Sequence, residues 1–190
     1  MGKLTFILGG ARSGKSSYAQ SLAEKHPGRV AFIATATPDD DEMAARIIKH
    51  QKERPPGWAT FEIHHGIAGA LRTSPPRADI ILLDCLTLLV SNLLFQDGQT
   101  GVDERTAAAR IETEINGLLG FIRDGGADWI IVSNEVGLGL VPPYPLGRIY
   151  RDLLGRANQE LAAAADEVVW MVAGIPVPIQ NYRENIGLKK

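Results

Sequence analysis

The chain has 190 residues, 45% hydrophobic and 22% charged, with 20 Lys and Arg against 22 Asp and Glu for a formal net charge of -2. These values describe a soluble globular chain, one domain over residues 1–190, and exclude intrinsic disorder and a global positive field that gathers nucleic acid. A lone Cys85 excludes an intramolecular disulfide, and the apolar run at residues 4–8 is too short for a secretory signal or a membrane span, so the expectation is a cytoplasmic protein.

Residues 4–8 form an apolar run stopped by Gly9 and Gly10, which predicts a buried strand meeting a tight turn. Tyr18, Ala19, Leu22 and Ala23 then recur at helical spacing until Pro27 and Gly28 end the pattern. Residues 30–34 predict a second buried strand. The acidic run 39–42 opens a helix that lasts to about Arg54, since acidic groups suit the positive end of a helix dipole. Residues 58–63 read as a short strand and residues 80–83 as another, with Asp84 at its carboxyl end. Helices follow over residues 86–95 and 106–123, then a strand over 129–132 that ends at Ser133, Asn134 and Glu135. A loop rich in Gly and Pro covers 137–147. Ile149, Leu153, Ala157 and Leu161 mark one more helical stripe, and residues 168–172 a last strand, after which Gly174 and two prolines break the tail. Apolar strands alternating with helices predict an α/β fold, a mostly parallel sheet covered by helices on both faces. Ligands of such sheets sit beyond the carboxyl ends of the strands, where Gly9, Thr35, Asp84 and Asn134 fall.

Gly9, Gly10, Ala11, Arg12, Ser13, Gly14, Lys15 and Ser16 match G-x-x-x-x-G-K-S in full, between a predicted strand and a predicted helix. The glycines let successive backbone N–H groups face a phosphate, Lys15 reaches the outer phosphates, and Ser16 can hold Mg²⁺. Asp84 has two readings, a partner to the same metal ion or the N-cap of the helix after it. Glu135 likewise reads either as a base for an acceptor hydroxyl or as a turn partner.

On the helix ending at Arg54, Met43, Ala44, Ile47 and Ile48 form an apolar stripe bordered by Arg46, His50 and Arg54 at four-residue spacing. Flanking guanidiniums disfavour a proton on His50 and leave a neutral imidazole able to attack phosphorus, whereas spacing alone favours an exposed histidine on a solvated charged face. His64 and His65, adjacent on a strand, point to opposite faces and do not suit one metal ion. Cys85 reads as a small buried hydrophobe.

The blocks from Gly9 to Ser16, Asp41-Glu-Met-Ala-Ala-Arg-Ile47 with His50, Arg54 and Pro55, Asp84-Cys-Leu-Thr87 with Asn92 and Leu93, and Asn134 to Pro142 closely resemble the bifunctional adenosylcobinamide kinase and adenosylcobinamide-phosphate guanylyltransferase family. Arg151, Asp152, Gly155, Asn158, Gln159 and residues 165–168 extend the match nearly to the end. The resemblance implies a RecA-like P-loop fold, phosphorylation of a corrinoid acceptor from ATP or GTP, and GMP transfer from GTP through a guanylyl-histidine on His50. It also implies that Ala34, Thr35, Ala36, Gln51, Lys52, Glu53, Arg54, Glu62 and Asp84 line the guanine nucleotide, with Asp84 where many relatives carry glutamate, and that the chain assembles as a homo-oligomer. Read without it, the residues leave open a RecA-type P-loop ATPase, a small-molecule kinase without nucleotidyl transfer, and a nucleotide-gated binding module.

Overall fold

The computed structural model describes residues 2–38, 40–96, 98 and 103–179, without the side chains of Glu42, Arg46 and Glu53. Its elements in chain order are β1 (Leu4–Gly9), α1 (Lys15–Lys25), β2 (Val30–Ala34), α2 (Asp41–Glu53), β3 (Ala59–Glu62), α3 (Ile67–Thr73), β4 (Ile80–Asp84), α4 (Leu86–Leu94), α5 (Glu104–Asp124), β5 (Asp128–Asn134), α6 (Pro145–Ala164), β6 (Glu167–Val172) and β7 (Ile175–Pro178). The strands form one sheet in the order β3-β2-β4-β5-β1-β6-β7, parallel except for β7.

The continuous apolar runs of the central strands follow from burial on two sides. Leu4, Phe6 and Leu8 enter one cluster while Ile7 enters the other. Ile81 and Leu83 of β4 and Trp129 and Ile131 of β5 join the first, and Ile80, Leu82, Ile130 and Val132 join the second. The expected sheet with helices on both faces is observed, and the cover is unequal: α3, α4, α5 and α6 pack on the first face, while α1 lays Ala19 and Ala23 on the second.

Two elements are absent from the sequence reading. Helix α3 spans only 7 residues, and its first N–H groups, those of Gly66 and Ile67, donate to the Glu114 carboxylate of α5 at 2.7 and 2.8 Å. A cap supplied from so far along the chain leaves no local signal. Strand β7 carries Pro176 and Pro178, which the sequence reading took as breakers. It is an edge strand, where a missing donor faces outward at no cost, and the Ala173-Gly174 turn has φ of 50° and 81°, the two left-handed residues of a tight hairpin. Two boundaries also shift. Asp103 accepts a hydrogen bond from the Thr106 N–H and starts α5 at Glu104, and Pro145 starts α6 inside the expected loop because its fixed φ suits the first helical position.

Candidate nucleotide site

The first wall of the site is the glycine loop. At Gly9 a Cβ would come within 2.6 Å of the Met171 carbonyl oxygen and 2.7 Å of Ser13 Oγ, so only glycine lets the loop leave β1 this close to β6. Gly14, at φ 94°, turns the chain into α1. The Gly174 N–H donates to the Ser13 carbonyl at 3.0 Å, so the β6–β7 turn buttresses the loop from outside. Lys15, 7% exposed, donates from Nζ to the Gly10 carbonyl at 2.6 Å. Burial lowers the pKa of this ammonium, an effect opposed by Cys85 and Asp84.

Asp84 ends β4 opposite the loop. The N-cap of α4 is Cys85 and no side chain caps that helix, so the Asp84 carboxylate is not its cap. It accepts a hydrogen bond from the Ser16 hydroxyl instead. Burial raises its pKa, and the Ser16 hydrogen bond, His50, Lys15 and Arg54 pull the other way. The peptide between Asp84 and Cys85 is cis. Thr35, fully buried at the end of β2, donates from its hydroxyl to the Cys85 carbonyl at 2.7 Å and accepts from the Cys85 N–H at 2.9 Å. Its side chain therefore fastens β2 to β4 behind the site.

The second wall is α2. Asp40 caps it, accepting from the Met43 N–H at 2.7 Å. None of its described residues is fully buried, because the stripe of Met43, Ala44, Ile47 and Ile48 lines a cleft rather than the sheet. The cleft holds about 760 Å³ between the loop residues 11–17, the strand ends and this helix. His50, Gln51 and Arg54 line it from α2 and its C-cap. Gln51 donates to Glu62 Oε1 of β3 at 3.0 Å. The Arg54 guanidinium sits 3.8 Å from the Phe32 ring centroid, and its buried Nε has no hydrogen-bond partner among the described residues. A neighbouring hollow of about 420 Å³, lined by Pro55, Pro56, Gly57, Trp58 and Thr60, shares Gln51, Arg54 and Glu62 with the cleft.

Of the expected site residues, Ala11, Arg12, Ser13, Gly14, Lys15, Ser16, Ala34, Ala36, His50, Gln51, Arg54, Glu62 and Asp84 line this cleft together. Gly9 and Gly10 shape the loop behind it, Thr35 turns inward, and Lys52 is exposed on α2. The side chains of Glu53 and of Arg46, one of the two arginines expected beside His50, lie outside the described residues. Glu135 is not a lining residue; its carboxylate accepts from the Gly137 N–H, the turn-partner reading. His64 lines the cleft while His65 is exposed. Sequence reasoning missed Phe32, Thr87 and Leu88 as lining groups, and read the α2 stripe as apolar without assigning what it faces.

A strand, a glycine loop and a helix, with the loop's lysine and serine meeting a strand-end carboxylate, define a phosphate-loop nucleotide-binding protein. Among the described residues no helix is long and apolar enough to cross a membrane. The family described as CobU, cobinamide kinase / cobinamide phosphate guanyltransferase, matches residues 5–179, and the chain belongs to that family of transferases. It is 42% identical over 181 residues to the bifunctional adenosylcobalamin biosynthesis protein CobU of Salmonella typhimurium, covering 93% of this chain and 99% of that protein. The protein of the same name from Escherichia coli is 40% identical over the same shares, and CobP of Pseudomonas aeruginosa is 41% identical over 92% of this chain and 96% of its own. Among solved structures, the RadB recombinase is 14% identical with a TM-score of 0.49, covering 88% of this chain and 73% of its own.

Proposed function

We propose that this chain phosphorylates adenosylcobinamide with ATP or GTP and then transfers GMP from GTP to the resulting phosphate through a covalent bond to His50. The observation that carries the reading is that His50 lines the same cleft as Lys15, Ser16 and Asp84. A ring nitrogen of His50 bonds to the α-phosphorus while the bond from that phosphorus to the αβ-bridging oxygen breaks, and pyrophosphate leaves with the electron pair. A phosphate oxygen of the acceptor then attacks the same phosphorus and the imidazole departs, giving adenosylcobinamide-GDP. Lys15 and the loop N–H groups stabilise charge on the departing phosphates.

The Ser16 hydroxyl and the Asp84 carboxylate are adjacent hard oxygen donors beside the lysine, a set that suits Mg²⁺ completed by phosphate oxygens and water. When bound there, the ion supplies charge neutralisation on the triphosphate. Ala34, Thr35, Ala36, Gln51, Lys52, Glu53, Arg54 and Glu62 hold the guanine nucleotide in this reading. The placement of Ala34, Ala36, Gln51, Arg54 and Glu62 on the cleft supports it. The protein acts as one nucleotide-binding domain per chain in a cytoplasmic homo-oligomer.

The test is incubation with Mg²⁺ and GTP labelled on the α-phosphate, followed by denaturation. Label that survives alkali, leaves in acid and is missing from His50→Ala is the expected result. Absence of label from the wild-type chain removes the nucleotidyl-transfer half of the proposal.

A further inference from the structure

Both proposed reactions draw on the same loop, so something else must fix which phosphorus reacts. Asn134 is placed to do this. It ends β5, the strand between β1, which carries the loop, and β4, which carries Asp84, and it pairs in register with Gly9. Its backbone is held from two sides. The N–H donates to Thr87 Oγ1 of α4 at 2.8 Å, and the carbonyl accepts from Asn158 Nδ2 of α6 at 3.2 Å. Asn158 is itself 5% exposed and accepts from the Ser133 hydroxyl at 2.7 Å. Thr87, Asn158 and Ser133 thus fix the backbone from which the Asn134 side chain projects, and Asn134 lines the cleft.

Its position also separates it from His50. Helix α2 reaches the sheet through β2 and β3, where Arg54 covers Phe32 and Gln51 bonds Glu62. Asn134 lies on the far side of β4 from both of those strands, next to the loop. A neutral carboxamide offers Nδ2 as a donor to a phosphoryl oxygen and Oδ1 as an acceptor for a hydroxyl proton, so one side chain can touch both partners of an in-line transfer.

We infer that Asn134 is a catalytic residue of the phosphoryl-transfer half alone, holding the γ-phosphoryl group and the acceptor hydroxyl in line. The inference rests on the two-reaction reading above. The acceptor oxygen forms its bond to the γ-phosphorus as the bond from that phosphorus to the βγ-bridging oxygen breaks. The nucleoside diphosphate leaves with the electron pair, and the hydroxyl proton passes to solvent, because a carboxamide is not a base.

The experiment runs two assays on wild type, Asn134→Ala and Asn134→Ser with adenosylcobinamide as acceptor: transfer from γ-labelled ATP to adenosylcobinamide, and labelling of the chain by α-labelled GTP. The expected result is a fall in the phosphoryl-transfer kcat of about 100-fold in Asn134→Ala, the scale of one lost donor to a developing charge. Asn134→Ser, which keeps a hydroxyl donor, recovers part of it, while labelling of the chain stays within about twofold of wild type in both variants. Unchanged phosphoryl transfer, or an equal fall in both assays in the Ser as well as the Ala variant, overturns the role. A wild-type chain that labels itself yet phosphorylates no adenosylcobinamide overturns the two-reaction reading and Asn134 with it.

Discussion

The floor of the cleft and its α2 wall are built in opposite ways. The floor is the ends of β1, β4 and β5 with the loop, and the side chains beneath it, such as Ile7, Leu83 and Ile131, are fully buried. The wall is a helix with no fully buried residue among those described, whose Ile48 is 51% exposed and whose apolar stripe faces the cleft. Compare α5, which buries Ala107, Ile111, Ile115, Leu118 and Ile122 against the same fold. Fixed backbone donors are what a triphosphate needs in any reaction, since they carry no reorganisation cost. A wall held lightly by packing suits a group that meets only one phosphorus in one of two reactions.

The largest effects should divide along that line. Lys15→Ala is expected to lower both transfer to the acceptor and labelling of the chain by on the order of 10³-fold, whereas His50→Ala abolishes labelling and leaves phosphoryl transfer within about threefold, measured in paired assays. Survival of either reaction in Lys15→Ala would break the picture of a shared floor.

Next in size is the thiol of Cys85, which burial and the Asp84 carboxylate push up to about 11. The thiolate is the form that alkylates, so reaction with iodoacetamide at pH 8 should run about 100-fold slower than for an ordinary thiol of pKa 9.0, rising with pH until about 11. Asp84→Asn removes one cause and should move that rise to lower pH; an unmoved profile would separate the two groups.

Arg54→Ala tests the wall where it meets the sheet. Loss of a guanidinium that lines the cleft and stacks on Phe32 is expected to raise the KM for GTP about tenfold with a smaller change in kcat. Thr35→Val has the smallest effect on turnover and reads the floor alone. It leaves the Cys85 N–H and carbonyl without their side-chain partner, a cost of about 1–3 kcal/mol read in urea unfolding.

The floor was legible in the sequence because its signals are local. A continuous apolar run, a glycine loop with Lys15 and Ser16, and an acid at a strand end each declare themselves within about ten residues. What escaped depends on groups distant in the chain. Nothing near Gly66 announces the Glu114 cap, and a proline pair becomes a strand only where an edge is free to receive it. The stripe of α2 shows the limit of periodicity itself: it marks a face that meets something apolar, and here that face lines the ligand cleft. The same holds for Thr35, whose place on the ligand edge was predictable and whose inward turn toward Cys85 was not.

The Gly174 bond to the Ser13 carbonyl also orders events on the ribosome. Strand β1 is the first to be synthesised, yet its two neighbours in the sheet, β5 and β6, are made only after residue 127, and the turn that braces the loop comes after both. At a synthesis rate of roughly 5–20 residues per second, the leading strand waits many seconds with an apolar edge and an unbraced glycine loop. A nascent chain should therefore gain nucleotide affinity late and abruptly, once residue 174 has cleared the exit tunnel.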